Sequence, residues 1–200
     1  MRKNYIKKII THEEWLKEKE KTIGGSEAAA IIGKSKWLTP NDLYNKLALG
    51  KTKNLKSNSK MEEGVIAEPH IRALFANDCK EFIVQNPPTR KAWLFIRKDK
   101  PYLSCTPDGL LTKKENGALW GYEAKNVDLI KTEDKREWEA NIIPDQYLYQ
   151  IIHDLVVIND MEGMVINAHL KYYKRENCSH YNQEGQDMLA GKIVPPKTYA

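Results

Sequence analysis

Thr106-Pro107-Asp108-Gly109-Leu110-Leu111, read together with Leu119-Trp120-Gly121-Tyr122-Glu123-Ala124-Lys125, is the part of the chain that decides the fold. A Pro-Asp-Gly turn opens an apolar pair, and a second apolar run follows after turn residues, as in two short neighbouring strands. Alternate residues of a strand share a face, so Glu123 and Lys125 project to the same side. With Asp108, two carboxylates and an ammonium gather at one sheet edge. Hard oxygen donors suit a divalent cation, and a cation beside a positioned water is the apparatus of metal-assisted phosphodiester hydrolysis. Each half also has a plainer reading: an isolated Pro-Asp-Gly is a structural turn, and an isolated Glu-x-Lys is a solvated strand face. Their order, with β-like flanks on both, is what favours the metal site.

Upstream, Thr11 and Glu14 form a Thr-x-x-Glu capping box that starts a helix around Trp15 and Leu16. Gly24-Gly25-Ser26-Glu27-Ala28-Ala29-Ala30-Ile31-Ile32-Gly33 predicts a glycine turn, Ser26 as N-cap, a short apolar helix and Gly33 as its stop. A third helix has Thr39 as cap, Pro40 at its first position and Gly50 after its last turn. Residues 51–60 are polar and basic and predict a loop, followed by a helix from Met61 to Asn77 with Pro69 opening a new turn or kinking it. Phe82-Ile83-Val84, Trp93-Leu94-Phe95-Ile96, Leu110-Leu111-Thr112 and Leu119 to Ala124 predict strands of one central sheet. A helix from Pro144 to Val157 and a strand from Met164 to Tyr173 complete the order. This is the pattern of a single α/β (α+β) domain over 1–200, a central mixed sheet flanked by helices.

Two hundred residues support one domain with a substantial core. Lys+Arg 32 against Asp+Glu 27 gives a net charge of +5, compatible with a polyanionic partner and equally with a solvated lysine-rich surface. Cys79, Cys105 and Cys178 are scattered, odd in number and form no C-x-x-C pair, so neither a disulfide framework nor a zinc site is indicated and reduced thiols are expected. No apolar run spans a membrane, and Met1-Arg2-Lys3-Asn4-Tyr5 lacks the apolar core of a secretory leader, so a cytoplasmic protein is expected.

Three further features qualify as site candidates. Glu68 shares a helical face with Ile71 and Phe75, and an acid on an apolar face needs a partner or a metal; the alternative is a polar edge residue before Pro69. Gly25-Ser26 at a helix start offers exposed N–H groups and a hydroxyl to an anion, though an ordinary N-cap has the same composition. Tyr147, Gln150 and His153 recur at three-residue spacing, a pattern that more often marks a solvent-facing stripe.

Taken in order, these motifs resemble a family. The run from Ile23 to Pro40 looks like the opening motif of the YqaJ-like viral recombinases, relatives of phage lambda exonuclease. Gly64-x-x-x-Glu68-Pro69 is similar to that family's second motif. Thr106-Pro107-Asp108-Gly109 with Glu123-Ala124-Lys125 is similar to its PD-(D/E)xK catalytic core, and Pro144 to His153 to its late helix. The matches span residues 15–158. The resemblance implies a restriction-endonuclease-like fold and a 5′-to-3′ exonuclease acting on ends of double-stranded DNA in phage recombination, working beside a single-strand annealing protein and assembled as a trimer.

By the same resemblance, Asp108 and Glu123 would hold Mg²⁺ (or Mn²⁺), two ions per site, with the main-chain carbonyl of Ala124, and Glu68 would complete the metal environment. Lys125 would orient or deprotonate the attacking water and, beside a cation, lean toward its neutral form. Ser26 would bind the 5′-phosphate together with Gly25 and Lys19, and Gln150 with Tyr147 would support the catalytic cluster. The family has arginine where this chain has Lys19, which keeps the charge without the bidentate fork. Relatives also continue further past the last strand. The alternatives are an endonuclease or RecB-like nuclease of the same superfamily, and a non-catalytic DNA-end-binding module, for which Asp108, Glu123 and Lys125 would have no use.

Overall fold

The two decisive runs form adjacent antiparallel strands, Gly109 opposite Tyr122 and Thr112 opposite Leu119. The computed structural model describes residues 3–51, 59–129, 136–138 and 140–172, and the backbone of 192–194. Its strands are β1 (Tyr5–Thr11), β2 (Phe82–Gln85), β3 (Lys91–Arg97), β4 (Ser104–Cys105), β5 (Gly109–Lys113), β6 (Leu119–Leu129), β7 (Gly163–Tyr172) and β8 (Lys192–Val194). Its helices are α1 (His12–Lys19), α2 (Gly25–Ile31), α3 (Pro40–Leu49), α4 (Ser59–Asp78) and α5 (Asp145–Val157).

The main sheet has the order β2-β5-β6-β7-β8 and is mixed, as the sequence predicts: β6 and β7 run parallel from Trp120–Gly163 to Leu129–Tyr172, and the other pairs are antiparallel. A parallel pair needs a crossover, and α5 lies in that connection. Strand alternation then sorts the faces. Tyr122 and Val165 pack with Phe75 of α4 on one side. Met164, Ile166, Ala168 and Leu170 pack with Ile151 of α5 and with Trp138 on the other. Glu123 and Lys125 are thereby turned toward α5.

Several expectations need correction. The strand around Trp93–Ile96 belongs to a second, three-stranded sheet, β1-β3-β4, rather than to the central one. Its partner β1 is not predicted, because Lys7-Lys8 interrupts the apolar alternation. Pairing with β3 from Tyr5–Arg97 to Thr11–Lys91 sets Lys7 Nζ 3.8 Å from the Trp93 ring centroid, so a lysine covers an aromatic face. The short strand β8 is also unpredicted and adds an edge to β7.

The helix boundaries follow their caps. Thr11 N–H donates to Glu14 Oε2 at 2.8 Å, and Glu14 N–H to Thr11 Oγ1 at 3.3 Å. Thr39 and Asp42 repeat the arrangement, Pro40 is the first residue of α3, and Gly50 follows at φ 62°. In α2 the cap is Gly24, not Ser26: Glu27 reaches back to accept from Gly24 N–H at 3.0 Å, which starts the helix at Gly25 and puts Ser26 inside the first turn. Helix α4 begins at Ser59, inside the predicted loop, and continues through Pro69. The rest of that loop, 52–58, lies outside the described residues, as do Tyr173 and Cys178. Cys79 and Cys105 are free and buried.

Candidate metal and active site

The site forms where β5 ends beside a longer β6. The β5–β6 ladder closes at Gly109–Tyr122, and the next strand position is Asp108. Its Oδ2 accepts from Ala124 N–H at 2.8 Å, so a carboxylate continues the pairing and is fixed against the edge of β6. On the α5-facing side, Lys125 Nζ lies 2.6 Å from Glu123 Oε1, and Gln150 of α5 donates to the same oxygen at 2.5 Å. Lys125 also donates to Gln150 Oε1 at 3.2 Å, and its ammonium sits 5.1 Å from the Tyr147 ring centroid. Gln150 and His153 are buried rather than on a solvent stripe; His153 Nε2 lies 2.9 Å from Ser104 O, tying α5 to β4. Glu68 of α4 pairs with Arg72, one turn on.

The electrostatics show acids in excess. Burial pushes the Asp108 carboxyl well above the usual range, and Glu123 and Glu68 push it further, against the pull of Lys125 and the Ala124 N–H. Burial also raises Glu68, opposed by Arg72 and reinforced by Glu123. At Lys125 burial disfavours the charge, but Glu123 and Asp108 outweigh it and hold the amine above its ordinary value. The protein's own groups thus favour the ammonium. A dication between the carboxylates is what would remove that bias.

Those observations test the fit to a metal. Glu123 Oε1 takes both hydrogen bonds, while buried Oε2 has no hydrogen-bond partner. An unpartnered carboxylate oxygen beside an acid whose pKa is pushed up by burial and by neighbouring carboxylates is the donor set a hard cation would satisfy. Among the described residues no group of three or more His, Cys, Asp or Glu is assembled as a metal cage. Mg²⁺ does not require one, since it is commonly held by one or two carboxylates, water and substrate phosphate.

These residues line a cavity of about 220 Å³ that Trp15, Lys19, Gly25 and Ser26 also line. Lys19 reaches it over the Trp15 ring, 4.7 Å from the centroid, and burial lowers its pKa. The first turn of α2, which carries Gly25 and Ser26, is anchored by an ion pair that sequence reading missed. Lys46 of α3 contacts Glu27 Oε1 at 2.8 Å and Oε2 at 2.7 Å and donates to Thr22 O at 2.7 Å, with both side chains buried. The available signal was Glu27 at the third position of α2 and a lone lysine on the apolar face of α3.

Asp154 was missed too. It is 1% exposed, lines the same cavity, and its Oδ1 has no hydrogen-bond partner. A Cβ at Gly25 would collide with that oxygen, so Gly25 is required by the approach of Asp154. Sequence-predicted Asp108, Glu123, Lys125, Gln150, Ser26, Gly25 and Lys19 are therefore brought to one cavity. Tyr147 lies behind Lys125, and Glu68 stands in the second rank, close enough to act on Asp108 and Glu123 electrostatically. A second cavity, of about 320 Å³, follows along β6 past Lys125, lined by Asn126, Val127 and Asp128.

Comparison with known proteins identifies the family and the fold. The model of the YqaJ-like viral recombinase domain matches residues 14–161. The chain is 27% identical over 150 residues to the uncharacterized protein YqaJ of Bacillus subtilis (strain 168), covering 74% of this chain and 43% of that protein, so it spans less than half of the relative's length. Its fold is similar to that of an alkaline exonuclease from Laribacter hongkongensis, with TM-score 0.56 and 17% identity over 79% of this chain and 74% of the other. It is similar also to the structure of that exonuclease in complex with dAMP, with TM-score 0.56 and 18% identity over 87% and 78%. At these identities the likeness is one of fold.

Proposed function

The chain belongs to the YqaJ-like viral recombinase family, and from that premise we propose that it is a divalent-metal-dependent 5′-to-3′ exonuclease on linear double-stranded DNA, leaving 3′ single-stranded overhangs for phage-type recombination. The observation that carries the reading is the buried, unpartnered Oε2 of Glu123 beside Asp108 and Lys125. The fold likeness to a protein described as an alkaline exonuclease supports it.

In this reading Asp108, Glu123 and the main-chain carbonyl of Ala124 would hold Mg²⁺ or Mn²⁺, two ions per site, with Glu68 adding negative charge behind them. When bound, the metal supplies an acidified water and offsets the charge that builds on the phosphate. Lys125 would orient the attacking water, or take its proton once a bound dication has shifted it to the neutral amine. Gln150 keeps Glu123 and Lys125 in register by bonding both. The hydroxyl of Ser26 and the ammonium of Lys19, with the first turn of α2 at Gly25, would receive the terminal 5′-phosphate. Tyr147 backs Lys125. The protein would act in the bacterial cytoplasm beside an annealing protein, as a trimer; no helix among the described residues is long and apolar enough to cross a membrane.

The test is incubation with 5′-phosphorylated linear, 5′-hydroxyl linear and circular duplex, with Mg²⁺ or with EDTA. Degradation of linear duplex, faster with the 5′-phosphate and abolished by EDTA, is expected. Nicking of circles would make the protein an endonuclease, and binding without cleavage would make it an end-binding module.

A further inference from the structure

The second cavity differs in chemistry from the first, although both lie along one strand edge. Among the described residues β5 pairs with β6 only as far as Tyr122, and β6 continues to Leu129. Asp108 and the first cavity occupy the start of that vacated edge. The second cavity occupies its continuation, between α4, the N-terminal turn of α5 and the segment before α3. Tyr147 joins the two, lying beneath Lys125 while lining the second.

The lining argues against a phosphate. Lys60 pairs with Asp128 at 3.0 Å, and the other two charges, Lys36 and Glu63, are opposite in sign, so the cavity has no net charge to offer an anion. Its uncommitted polar groups are amides: Asn126 Oδ1 and Gln146 Oε1 are both buried and without a hydrogen-bond partner. Two orphaned amide oxygens, both shielded from solvent, belong to residues that line one cavity and suit a ligand with N–H donors, because a buried acceptor left unmade is costly. Its walls are aromatic: Trp37, 58% exposed, and Trp138, whose ring lies 5.8 Å from that of Tyr147. A flat, uncharged, N–H-bearing group satisfies all three conditions, and asparagine and glutamine amides with aromatic faces are the usual readers of nucleobase edges and planes.

We propose that this cavity is a nucleobase pocket, which takes the base of a nucleotide next to the scissile phosphate, turned out of the duplex, against Trp37 and the amides of Asn126 and Gln146. The inference rests on the placing of phosphodiester chemistry at Asp108, Glu123 and Lys125. The distance is suitable: from Lys125 to Val127 the strand advances about 7 Å, the rise of about two stacked nucleotides at about 3.4 Å each.

The test is equilibrium binding of a 5′-phosphorylated hairpin duplex by fluorescence anisotropy in Ca²⁺, so that turnover is not needed. Intact DNA is compared with DNA abasic at each of the three 5′-terminal positions, using wild type and Asn126→Ala/Gln146→Ala. At one position the missing base should weaken wild-type binding about tenfold, and the penalty should disappear in the double variant. 2-Aminopurine at that position should be quenched by wild type and less so by Trp37→Ala. An abasic penalty that is absent in wild type, equal in both proteins, or accompanied by no change in quenching overturns the pocket, as does failure of wild type to bind the duplex. Gln146→Ala alone, on the first turn of α5, replaces the double variant if that does not fold, with a partial loss of the penalty expected. Binding that obeys this pattern while Mg²⁺ gives no cleavage would instead overturn the nuclease reading and leave the pocket standing.

Discussion

The two cavities along the edge of β6 hold different kinds of unsatisfied group. In the first, carboxylates outnumber cations: Asp108 and Asp154 are pushed up by burial and by neighbouring acids, and Glu123 keeps one oxygen unpartnered. In the second, the charges balance and the unpartnered atoms are amide oxygens of residues that line the cavity together with Trp37 and Trp138. Excess negative charge calls for a cation, and neutral acceptors call for a neutral donor. A nucleotide bound beside a metal is one object that presents both requirements a few ångströms apart, which is why the contrast supports a nucleic-acid substrate more than either cavity alone.

The contrast is broken most severely at the charged end. Lys125→Ala should lower cleavage about 10³-fold or more while retaining DNA binding; retained nuclease activity in that variant would refute the assigned roles. Next comes the anchor beneath the same cavity. Lys46→Met leaves Glu27 buried without its partner and should cost about 3–5 kcal/mol in urea unfolding, far more than surface lysines such as Lys17, whose pair with Glu13 is exposed. Gly25→Ala should cost about 1–3 kcal/mol by overpacking against Asp154, and Asp154→Ala in the same chain should recover a large part of that loss if the collision is the cause.

The smallest effect is a pH slope. Asp108 and Asp154 keep their protons in the folded chain above the pH at which an unfolded aspartate, with a pKa of about 3.9, releases its own. Folding takes up protons between those values, so this stability is fully present below the unfolded pKa and is lost as pH rises through the folded one. Melting temperature in EDTA should therefore fall with rising pH, less steeply in Asp154→Asn, and Mg²⁺ should flatten the slope by stabilising the ionised acids. Gln146→Ala, in the neutral cavity, should leave the slope as it is. An equal change of slope for both variants would erase the distinction between the cavities.

Much of this was legible locally. The caps at Thr11 and Thr39 and the two-residue period of Glu123 and Lys125 depend on neighbours within a few positions, and each appears in the structure as read; at Pro-Asp-Gly the chain bends without a turn and Asp108 continues the pairing beside β6. Long-range register was not legible. Strand β1 exists because Lys7 finds the face of Trp93 some eighty residues away, and Glu27 is held by Lys46 of another helix. Asp154 looks like any polar residue on an amphipathic helix until Gly25 is packed beneath it. Ser26 was assigned the cap because serine is the commoner capping residue, but Glu27 supplies the partner for Gly24. The second cavity depends on where β5 stops short of β6, which no periodicity announces.

The central claim, that an acid-held divalent cation between Asp108 and Glu123 drives hydrolysis of DNA ends, is tested most directly by one comparison. Wild type and the near-isosteric Glu123→Gln, matched for folding by thermal melting, are incubated with 5′-phosphorylated linear duplex in Mg²⁺. The account predicts progressive degradation by wild type and a loss of about 10³-fold in the variant. Wild-type rates in Glu123→Gln, or cleavage by wild type that persists in EDTA, would contradict it.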